Sequence, residues 1–266
     1  MDELIRGIVL GAIQGITEFF PVSSSGHLIL VPWLFGWDDQ GLSFDTVLHL
    51  GTLVALLWVF RGDLRALASG VVQKSDPKSK KLVAMILVAT IPGVLAGGLL
   101  GGMIEATNRT PVVVAGSLAF WGIILLLADV VTRKLPRRVK EPSDMQWWQA
   151  ILIGCSQAIA IVPGTSRSGI TMTAGLVGGL SREAAVTFSF LLSIPTVAAA
   201  GAYGTWKLLA EGVTVSAGIQ LAVGFVVAAV TGAWAIKFLR GYVAKHSFAP
   251  FVIYRLILAA VILVAL

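Results

Sequence analysis

The sequence predicts an all-α polytopic membrane protein with six transmembrane helices, two re-entrant helical hairpins and an inverted-topology repeat. Of its 266 residues, 56% are hydrophobic and only 13% are charged, whereas soluble domains carry about 25% charged residues. Several apolar runs reach the roughly 20 residues that a helix needs to cross a bilayer. The sequence shows no pattern of short alternating strands typical of a membrane barrel, so helices must satisfy the backbone in lipid.

Six apolar runs are long enough to be predicted as spans. They lie near 43–60, 82–104, 111–132, 183–206, 215–238 and 250–266. Two further regions, 4–36 and 147–180, each hold a short apolar stretch, a proline, a Ser/Gly-rich turn and a second short apolar stretch. Broken helices occur at membrane depth where the backbone is buried in protein or lines a wet cavity. Both regions are therefore predicted to be re-entrant hairpins.

The basic residues orient the chain. The net charge is +6, and 14 of the 20 Lys and Arg residues lie in 61–81, 133–140 and 237–246. Basic residues gather in cytoplasmic loops of membrane proteins, so these three loops are predicted to be cytoplasmic and both termini to lie outside. This interpretation makes nucleic acid an unlikely partner despite the positive charge. The single cysteine, Cys155, excludes an internal disulfide.

An internal repeat divides the chain. A shift of 143 residues superposes Gly11 on Gly154 and Gln14 on Gln157, among other pairs. The further pairs are Ser23 with Ser166, Ser25 with Ser168, and Gly26 with Gly169. We expect a single transmembrane domain, 1–266, with one half at 1–133, the other at 147–266 and a basic linker at 134–146. An odd number of spans inverts the second half, and such repeats place a site at their interface.

The two predicted hairpin turns carry the ionisable residues. One runs from Gln14 through Glu18 to His27, and the other contains Arg167 within residues 163–171. An ionisable residue at membrane depth indicates a functional site. The planar guanidinium of Arg167 matches phosphate oxygens, and small, hydroxyl-rich turns present backbone N–H groups to anions. The predicted phosphate-binding residues are Arg167, Ser23, Ser25, Gly26, Thr165, Ser166, Ser168 and Gly169.

The residue types also allow catalysis. Ser24 is a candidate nucleophile that His27 or Glu18 could activate. Glu18 could alternatively orient the imidazole or hold a divalent cation, and Gln14 shares a helical face with it. Competing interpretations remain open: a purely structural Glu18–Arg167 ion pair, serines and glycines that serve only close helix packing, and a structural role for His27.

Other polar residues have simpler interpretations. Asp45 and His49, four residues apart, are predicted to pair or cap near the outer end of span 43–60. Asp129 and Arg255 lie near span ends and are interpreted as reaching water. A transporter or lipid flippase is the alternative function, because inverted repeats with broken helices are typical of transporters.

At the two turns the sequence resembles the undecaprenyl-pyrophosphate phosphatase family of the BacA/UppP type. The matching elements are Gln14…Glu18 of an (E/Q)xxxE motif, PVSSSGH at 21–27 and PGTSRSG at 163–169. The resemblance implies hydrolysis of a C55 polyprenyl diphosphate to its monophosphate, which recycles the carrier lipid for cell-wall synthesis and gives bacitracin resistance. It implies Glu18, His27 and Arg167 as essential residues and Ser24 as the proposed nucleophile, with serine against histidine attack left open.

The resemblance also implies the cofactor and the place of action. The expected cofactor is a divalent cation, Mg²⁺ or Ca²⁺, with Glu18 and Gln14 as ligands and most contacts from the substrate's phosphates. Gln14 stands where many members have Glu, which removes one carboxylate. The expected location is the bacterial inner membrane, with the active site opening to its outer face. The expected partners are the polyprenyl diphosphate and membrane lipids, and the sequence leaves a homodimer open.

Overall fold

The computed structural model describes residues 2–73, 76–133, 139–212 and 214–266. Over these residues the chain is helical and contains no β-strand. The α-helices are α1 (Asp2–Phe19), α2 (Ser24–Phe35), α3 (Gly41–Val59), α4 (Arg61–Val72), α5 (Pro77–Asn108), α6 (Pro111–Arg133), α7 (Trp147–Gln157), α8 (Arg167–Val177), α9 (Arg182–Glu211), α10 (Val215–Val243) and α11 (Ala249–Ala265). Short 3-10 helices cover Pro142–Asp144 and Ala158–Ile161.

The helices confirm a polytopic membrane protein. In the described ranges, five helices are long and apolar enough to cross a bilayer, namely α3, α5 over Pro77–Ile104, α6, α9 and α10. Each covers a span predicted from the sequence. Helix α11, predicted as the sixth span, is apolar but has only 17 residues, and α2 and α7 are shorter still.

Helix α4 corrects the prediction of a polar loop at 61–81. It covers Arg61–Val72, and only Gly70 is buried among its residues. Its charged residues and short length make it too polar and too short to cross a membrane. The basic residues Lys74, Lys134, Arg137 and Arg138 of the predicted cytoplasmic loops lie outside the described residues, as does the 134–138 part of the predicted linker 134–146.

Close glycine contacts hold α1 against α10. A Cβ added to Gly11 would lie 2.7 Å from the Cα atom of Gly224. The same contact recurs between α7 and α5, where a Cβ on Gly154 would lie 2.6 Å from the Cα of Ala89. Small residues allow helix backbones to approach closely in membranes. The first helix of each sequence repeat is therefore packed tightly against a long helix of the other repeat.

Three phenylalanines fix the end of α1. The Phe19 ring packs edge-on against Phe190 of α9, with 5.2 Å between ring centroids, and Phe60 contacts Phe190 in the same way at 6.2 Å. All three side chains are almost completely buried. Edge-to-face pairs of this kind add stability beyond the area that they bury. The end of α1, which carries Glu18, is thereby held against α9.

Polar contacts tie the loops at both ends of the bundle. Arg109, after α5, donates to Asp39, before α3, and to Asp45 of α3 with N–O distances of 2.5 to 3.0 Å. Asp129 of α6 is buried and accepts from Arg182 at 2.6 Å and from the backbone N–H of Phe248 at 3.0 Å. The interpretation of Asp129 as a residue that reaches water is wrong, because it joins three helices.

The α1–α10 contact gives a stability prediction. Gly11→Ala should destabilise the protein by about 1–3 kcal/mol, because the added methyl group meets backbone atoms that cannot rotate away. The control is Gly116→Ala on α6, where an added Cβ meets nothing within 4 Å. The measurement is the thermal midpoint of unfolding in detergent. Equal midpoints for the two variants would contradict the close packing.

Arg109 makes one end of the bundle sensitive to acid. Burial works to raise the pKa of Asp39, but the hydrogen bonds and charge of Arg109 outweigh it and hold that pKa below its ordinary 3.8. A carboxyl group with a depressed pKa stabilises the fold above its unfolded pKa, and this contribution is lost as the pH falls through the folded pKa.

Asp39→Asn should therefore lower the thermal midpoint at pH 7, and the difference from wild type should shrink as the pH falls from about 4 toward 2. Asp38→Asn, at the neighbouring exposed position, is the control and should show little difference at either pH. If the difference in thermal midpoint between wild type and Asp39→Asn stays constant over this pH range, the Arg109–Asp39 contact is excluded as its cause.

Candidate active site

The two predicted turns have the same backbone geometry. Ser23, before α2, and Ser166, before α8, both have φ of 73°, the only non-glycine residues with positive φ in the described ranges. Each serine caps its helix, since its Oγ accepts from the N–H of Gly26 at 3.3 Å and of Gly169 at 3.1 Å, respectively. A left-handed conformation costs a non-glycine residue about 1–2 kcal/mol. Such strain clusters at functional sites.

The starts of α2 and α8 carry hydroxyl groups beside their free N–H groups. Ser23 and Ser25 have their Oγ atoms 3.3 Å apart, and Ser166 and Ser168 have theirs 3.2 Å apart. Thr165 is fully buried, and its Oγ1 has no hydrogen-bond partner among the described residues. The first N–H groups of a helix attract anions. Two such helix starts with many hydroxyls can bind phosphate oxygens.

The structure brings the two turns into contact. The Oγ of Ser168 donates to the carbonyl of Phe20 at 3.0 Å. A Cβ on Gly26 would lie 3.4 Å from the Cα of Gly164. The predicted phosphate-binding residues of the two turns therefore lie close together, although matching positions are 143 residues apart in the sequence.

Glu18, at the end of α1, is the charged centre of this place. Its side chain is 5% exposed, and Oε1 accepts from Nη2 of Arg167. Its Oε2 accepts from Ser24 Oγ at 2.6 Å and from Gln14 Nε2 at 3.1 Å, and lies 3.1 Å from Nε2 of His49. A buried carboxylate needs such partners. The ion pair that the sequence left open is formed, together with a hydroxyl group on the same carboxylate.

Ser24 and His27 do not form the hydroxyl–imidazole hydrogen bond of a catalytic serine–histidine pair, because each binds another group. Ser24 donates to Glu18, so the base within reach of this hydroxyl is the carboxylate. Nδ1 of His27 lies 2.7 Å from the carbonyl of Ser23, and Nε2 lies 2.6 Å from the hydroxyl of Tyr254. Because a carbonyl only accepts, Nδ1 carries a proton, and in neutral imidazole Nε2 accepts from Tyr254.

Three contacts of the site were not predicted. His49 of α3 meets Glu18 through Nε2. Its predicted contact with Asp45 is formed through the backbone carbonyl, 2.6 Å from Nδ1, while the Asp45 carboxylate is bound by Arg109. Tyr254 of α11 stacks on His27 with 8° between the ring planes. Arg255 is fully buried, so its interpretation as a residue that reaches water is wrong. A histidine and an arginine inside predicted spans were the only available signals.

A narrow cleft with no room for a water molecule lies beside the ion pair. Glu18 and Arg167 form its polar side, and its other walls include the apolar side chains of Leu53, Leu56 and Val197. Charged groups and apolar side chains therefore lie next to each other at this site.

The predicted cation ligands supply two oxygen groups. Glu18 offers a carboxylate, and the Oε1 atom of Gln14, one helical turn away, is buried without a hydrogen-bond partner in the described part of the chain. Such oxygens are the ligands that Mg²⁺ and Ca²⁺ prefer. No group of three or more His, Cys, Asp or Glu residues that could hold a metal occurs in the described ranges. The residues fit a cation that takes its remaining ligands from a phosphate-containing substrate.

Fold and site together define a polytopic membrane protein with a buried carboxylate–arginine pair between two serine-capped helix starts and a hydroxyl group bound to that carboxylate. The family model described as "Bacitracin resistance protein BacA" matches residues 7–261. The chain belongs to this family.

Curated relatives extend over nearly the whole chain. The chain is 46% identical to "Undecaprenyl-diphosphatase 2" of Stutzerimonas stutzeri (strain A1501) over 266 residues, which cover 98% of each chain. It is 45% identical to "Undecaprenyl-diphosphatase" of Rubrobacter xylanophilus over 271 residues, again 98% of each chain. The protein of the same name from Caldicellulosiruptor bescii is 46% identical over 260 residues, 97% of this chain and 96% of the relative.

The strained turns give a prediction that separates strain from capping. Ser23→Gly removes the cap, which costs a few tenths of a kcal/mol, and relieves about 1–2 kcal/mol of left-handed strain. Ser181 caps α9 from an ordinary φ of −65°, so Ser181→Gly loses its cap and relieves no strain. Ser23→Gly should therefore be more stable than Ser181→Gly by about 1 kcal/mol, measured as thermal unfolding in detergent. The reverse order would exclude strain at Ser23.

Proposed function

We propose that this chain is an integral membrane hydrolase that converts undecaprenyl diphosphate to undecaprenyl phosphate and inorganic phosphate. The observation that carries the chemistry is the 2.6 Å hydrogen bond from Ser24 to Glu18, next to Arg167 and between two helix starts. The family and the names of the curated relatives support the substrate. The product recycles the carrier lipid for peptidoglycan synthesis, and bacitracin resistance follows from the same activity.

Ser24 is proposed as the nucleophile. Its oxygen attacks the terminal phosphorus while Glu18 takes the hydroxyl proton, and the bond from that phosphorus to the bridging oxygen breaks. Polyprenyl monophosphate leaves and a phosphoserine remains. Water then attacks the same phosphorus, inorganic phosphate departs, and Ser24 regains a proton. His27 is proposed to hold the turn through its Nδ1 contact with Ser23.

Arg167 is proposed to hold the transferring phosphoryl group. In the structure it pairs with Glu18, and a diphosphate is a competing partner of the same geometry and greater charge. Once its guanidinium binds phosphate oxygens, Glu18 loses one stabilising cation and becomes a better base. The turn hydroxyls and N–H groups complete the stabilisation of the developing charge, which supplies most of the rate in phosphoryl transfer.

A divalent cation, Mg²⁺ or Ca²⁺, is proposed as cofactor. Glu18 and the amide oxygen of Gln14 would hold it together with substrate phosphates, and it would neutralise phosphate charge when bound. The amide of Gln14 lies beside Glu18, to which its Nε2 donates at 3.1 Å, so the amide would have to turn over for its oxygen to face a cation at this carboxylate.

We propose a membrane arrangement of six spans and two re-entrant hairpins, with α11 as the sixth span. The hairpins are α1–α2 and α7–α8, and the halves 1–133 and 147–266 form an inverted repeat in one domain. The matching strained serines and the matching glycine contacts of α1 and α7 support the repeat. The basic loops support an orientation with both termini outside and the site toward the outer face of the bacterial inner membrane.

The test measures phosphate release from a polyprenyl diphosphate by purified protein in detergent, with EDTA, Mg²⁺ or Ca²⁺. Wild type should release phosphate with a divalent cation and lose this activity in EDTA. Ser24→Ala and Arg167→Lys should each lose about 100-fold or more, because one removes the nucleophile and the other the planar pair of donors.

Matched controls are Ser69→Ala and Arg61→Lys on the exposed face of α4, which should keep wild-type rates. Full activity of Arg167→Lys would exclude the proposed phosphoryl contact. No release by wild type with either cation, while the lipid still binds, would instead favour a carrier-lipid transporter.

A further inference from the structure

Arg255 of α11 is a fully buried arginine in an apolar helix of 17 residues. Its guanidinium makes five hydrogen bonds of 2.9 to 3.2 Å, all to backbone carbonyl groups. The acceptors are the carbonyls of Leu118, Pro21, Ser117, Gly164 and Thr165. A guanidinium has five N–H donors in a fixed plane. Nε and Nη1 each bind one carbonyl, and the two N–H groups of Nη2 are shared among the other three, so these contacts engage four of the five donors.

The acceptors belong to three separate segments. Pro21 lies two residues before the strained Ser23 of the first turn, and Thr165 immediately precedes the strained Ser166 of the second. Gly164 lies next to Thr165 in the second turn, and the carbonyls of Ser117 and Leu118 belong to α6. One rigid side chain therefore joins both turns to each other and to a membrane-spanning helix.

The charge of Arg255 has no counter-ion in the described part of the chain. The groups that it contacts there are neutral carbonyls, whereas Arg167, Arg109 and Arg182 each pair with a carboxylate. A buried charge is costly in a membrane protein and apolar replacements avoid the cost. Glycines make room for it, since a Cβ on Gly169 would lie 3.2 Å from Nη1 of Arg255 and one on Gly122 3.3 Å from Nε.

We infer that Arg255 is a positioning residue that fixes the two phosphate-binding turns relative to each other and supplies an unpaired positive charge behind them. This inference rests on the proposed function. Ser24 and Arg167 begin different helices, so the distance from nucleophile to phosphoryl contact depends on how the turns are held. Misplacement of reacting groups by about 1 Å can cost about 100-fold in rate.

The neighbouring Tyr254 extends this role to a third group. Its hydroxyl contacts Nε2 of His27 and its ring stacks on the imidazole. Because Arg255 anchors this part of α11 to both turns, the position of Tyr254 over His27 is fixed by the same contacts.

The kinetic test compares Arg255→Lys and Arg255→Met with wild type. Lysine keeps the charge but has a single ammonium group that cannot reach carbonyls of three segments, so kcat should fall about 10- to 100-fold with KM changed less than about 3-fold. Methionine also removes the charge, so KM should rise as well. Arg182→Lys, at another largely buried arginine, which pairs with Asp129 of α6, is the control and should keep kcat within about 3-fold.

The structural test does not depend on activity. In a Cys155→Ser background, spin labels at Leu34→Cys on α2 and Val177→Cys on α8 report the distance between the two helices that start at the turns. Both positions are exposed, at 68% and 62%. Arg255→Lys and Arg255→Met should broaden the distance distribution, and Arg182→Lys should leave it narrow.

A narrow distribution in both Arg255 variants, or an unchanged kcat in Arg255→Lys, would overturn the inference. If wild type fails to release phosphate but the Arg255 variants still broaden the distribution, the proposed function fails while the positioning of the turns stands. The inference would also be overturned if Arg182→Lys lowered the thermal midpoint and kcat by the same amounts as the Arg255 variants. Because lysine keeps a charge and donors, Arg255→Lys tests the inference even where Arg255→Met does not fold.

Discussion

The buried carboxylate of Glu18 is the group on which the rest of the site depends. A carboxylate removed from water is stable only with charged or hydrogen-bonding partners, and its partners here come from four helices. Gln14 belongs to α1, Ser24 to α2, His49 to α3 and Arg167 to α8. Pairing one charge therefore places the turn that carries the hydroxyl beside the turn that carries the guanidinium. In the proposed mechanism, a diphosphate that takes Arg167 away from Glu18 would both bind to the site and free its base.

The turns show what this arrangement costs and how the fold tolerates it. Ser23 and Ser166 have a left-handed backbone conformation, which is energetically unfavourable for any residue with a Cβ. The strain persists only where surrounding contacts determine the backbone. Arg255 supplies one such contact to the first turn through the carbonyl of Pro21, and the close contact of Gly11 with Gly224 holds the helix that leads into this turn. The left-handed serine directs the following N–H groups toward one place, which is the reason to keep the strain.

The sequence predicted the five long spans, the helix breaks at both turns and the set of polar residues in them, because length, hydropathy and buried charge are local signals. It could not predict which of these residues touch. His49 lies in an apolar run, and its contact with Glu18 depends on how α3 crosses α1. The carboxylate of Asp45 pairs with Arg109, which is 64 residues away, and only its backbone carbonyl contacts its helix neighbour His49. Arg255 was interpreted as reaching water because its acceptors are backbone carbonyls, which every residue has and which no sequence pattern reveals. Helix α4 was missed since its polar composition is also typical of a loop.

The repeat provides the backbone of the site twice but its chemistry only once. The shift of 143 residues that matches Ser23 with Ser166 sets Glu18 against Ile161, Ser24 against Arg167 and His27 against Ile170. Each turn therefore keeps the strained serine and its cap, while the proposed base and nucleophile belong to the first half and the phosphoryl contact to the second. Two identical halves would place two nucleophiles or two arginines together, and like charges would then repel at close range. Because the halves differ at these positions, the proposed reaction needs both turns, and the positioning role inferred for Arg255 acts on the reaction through the distance between them.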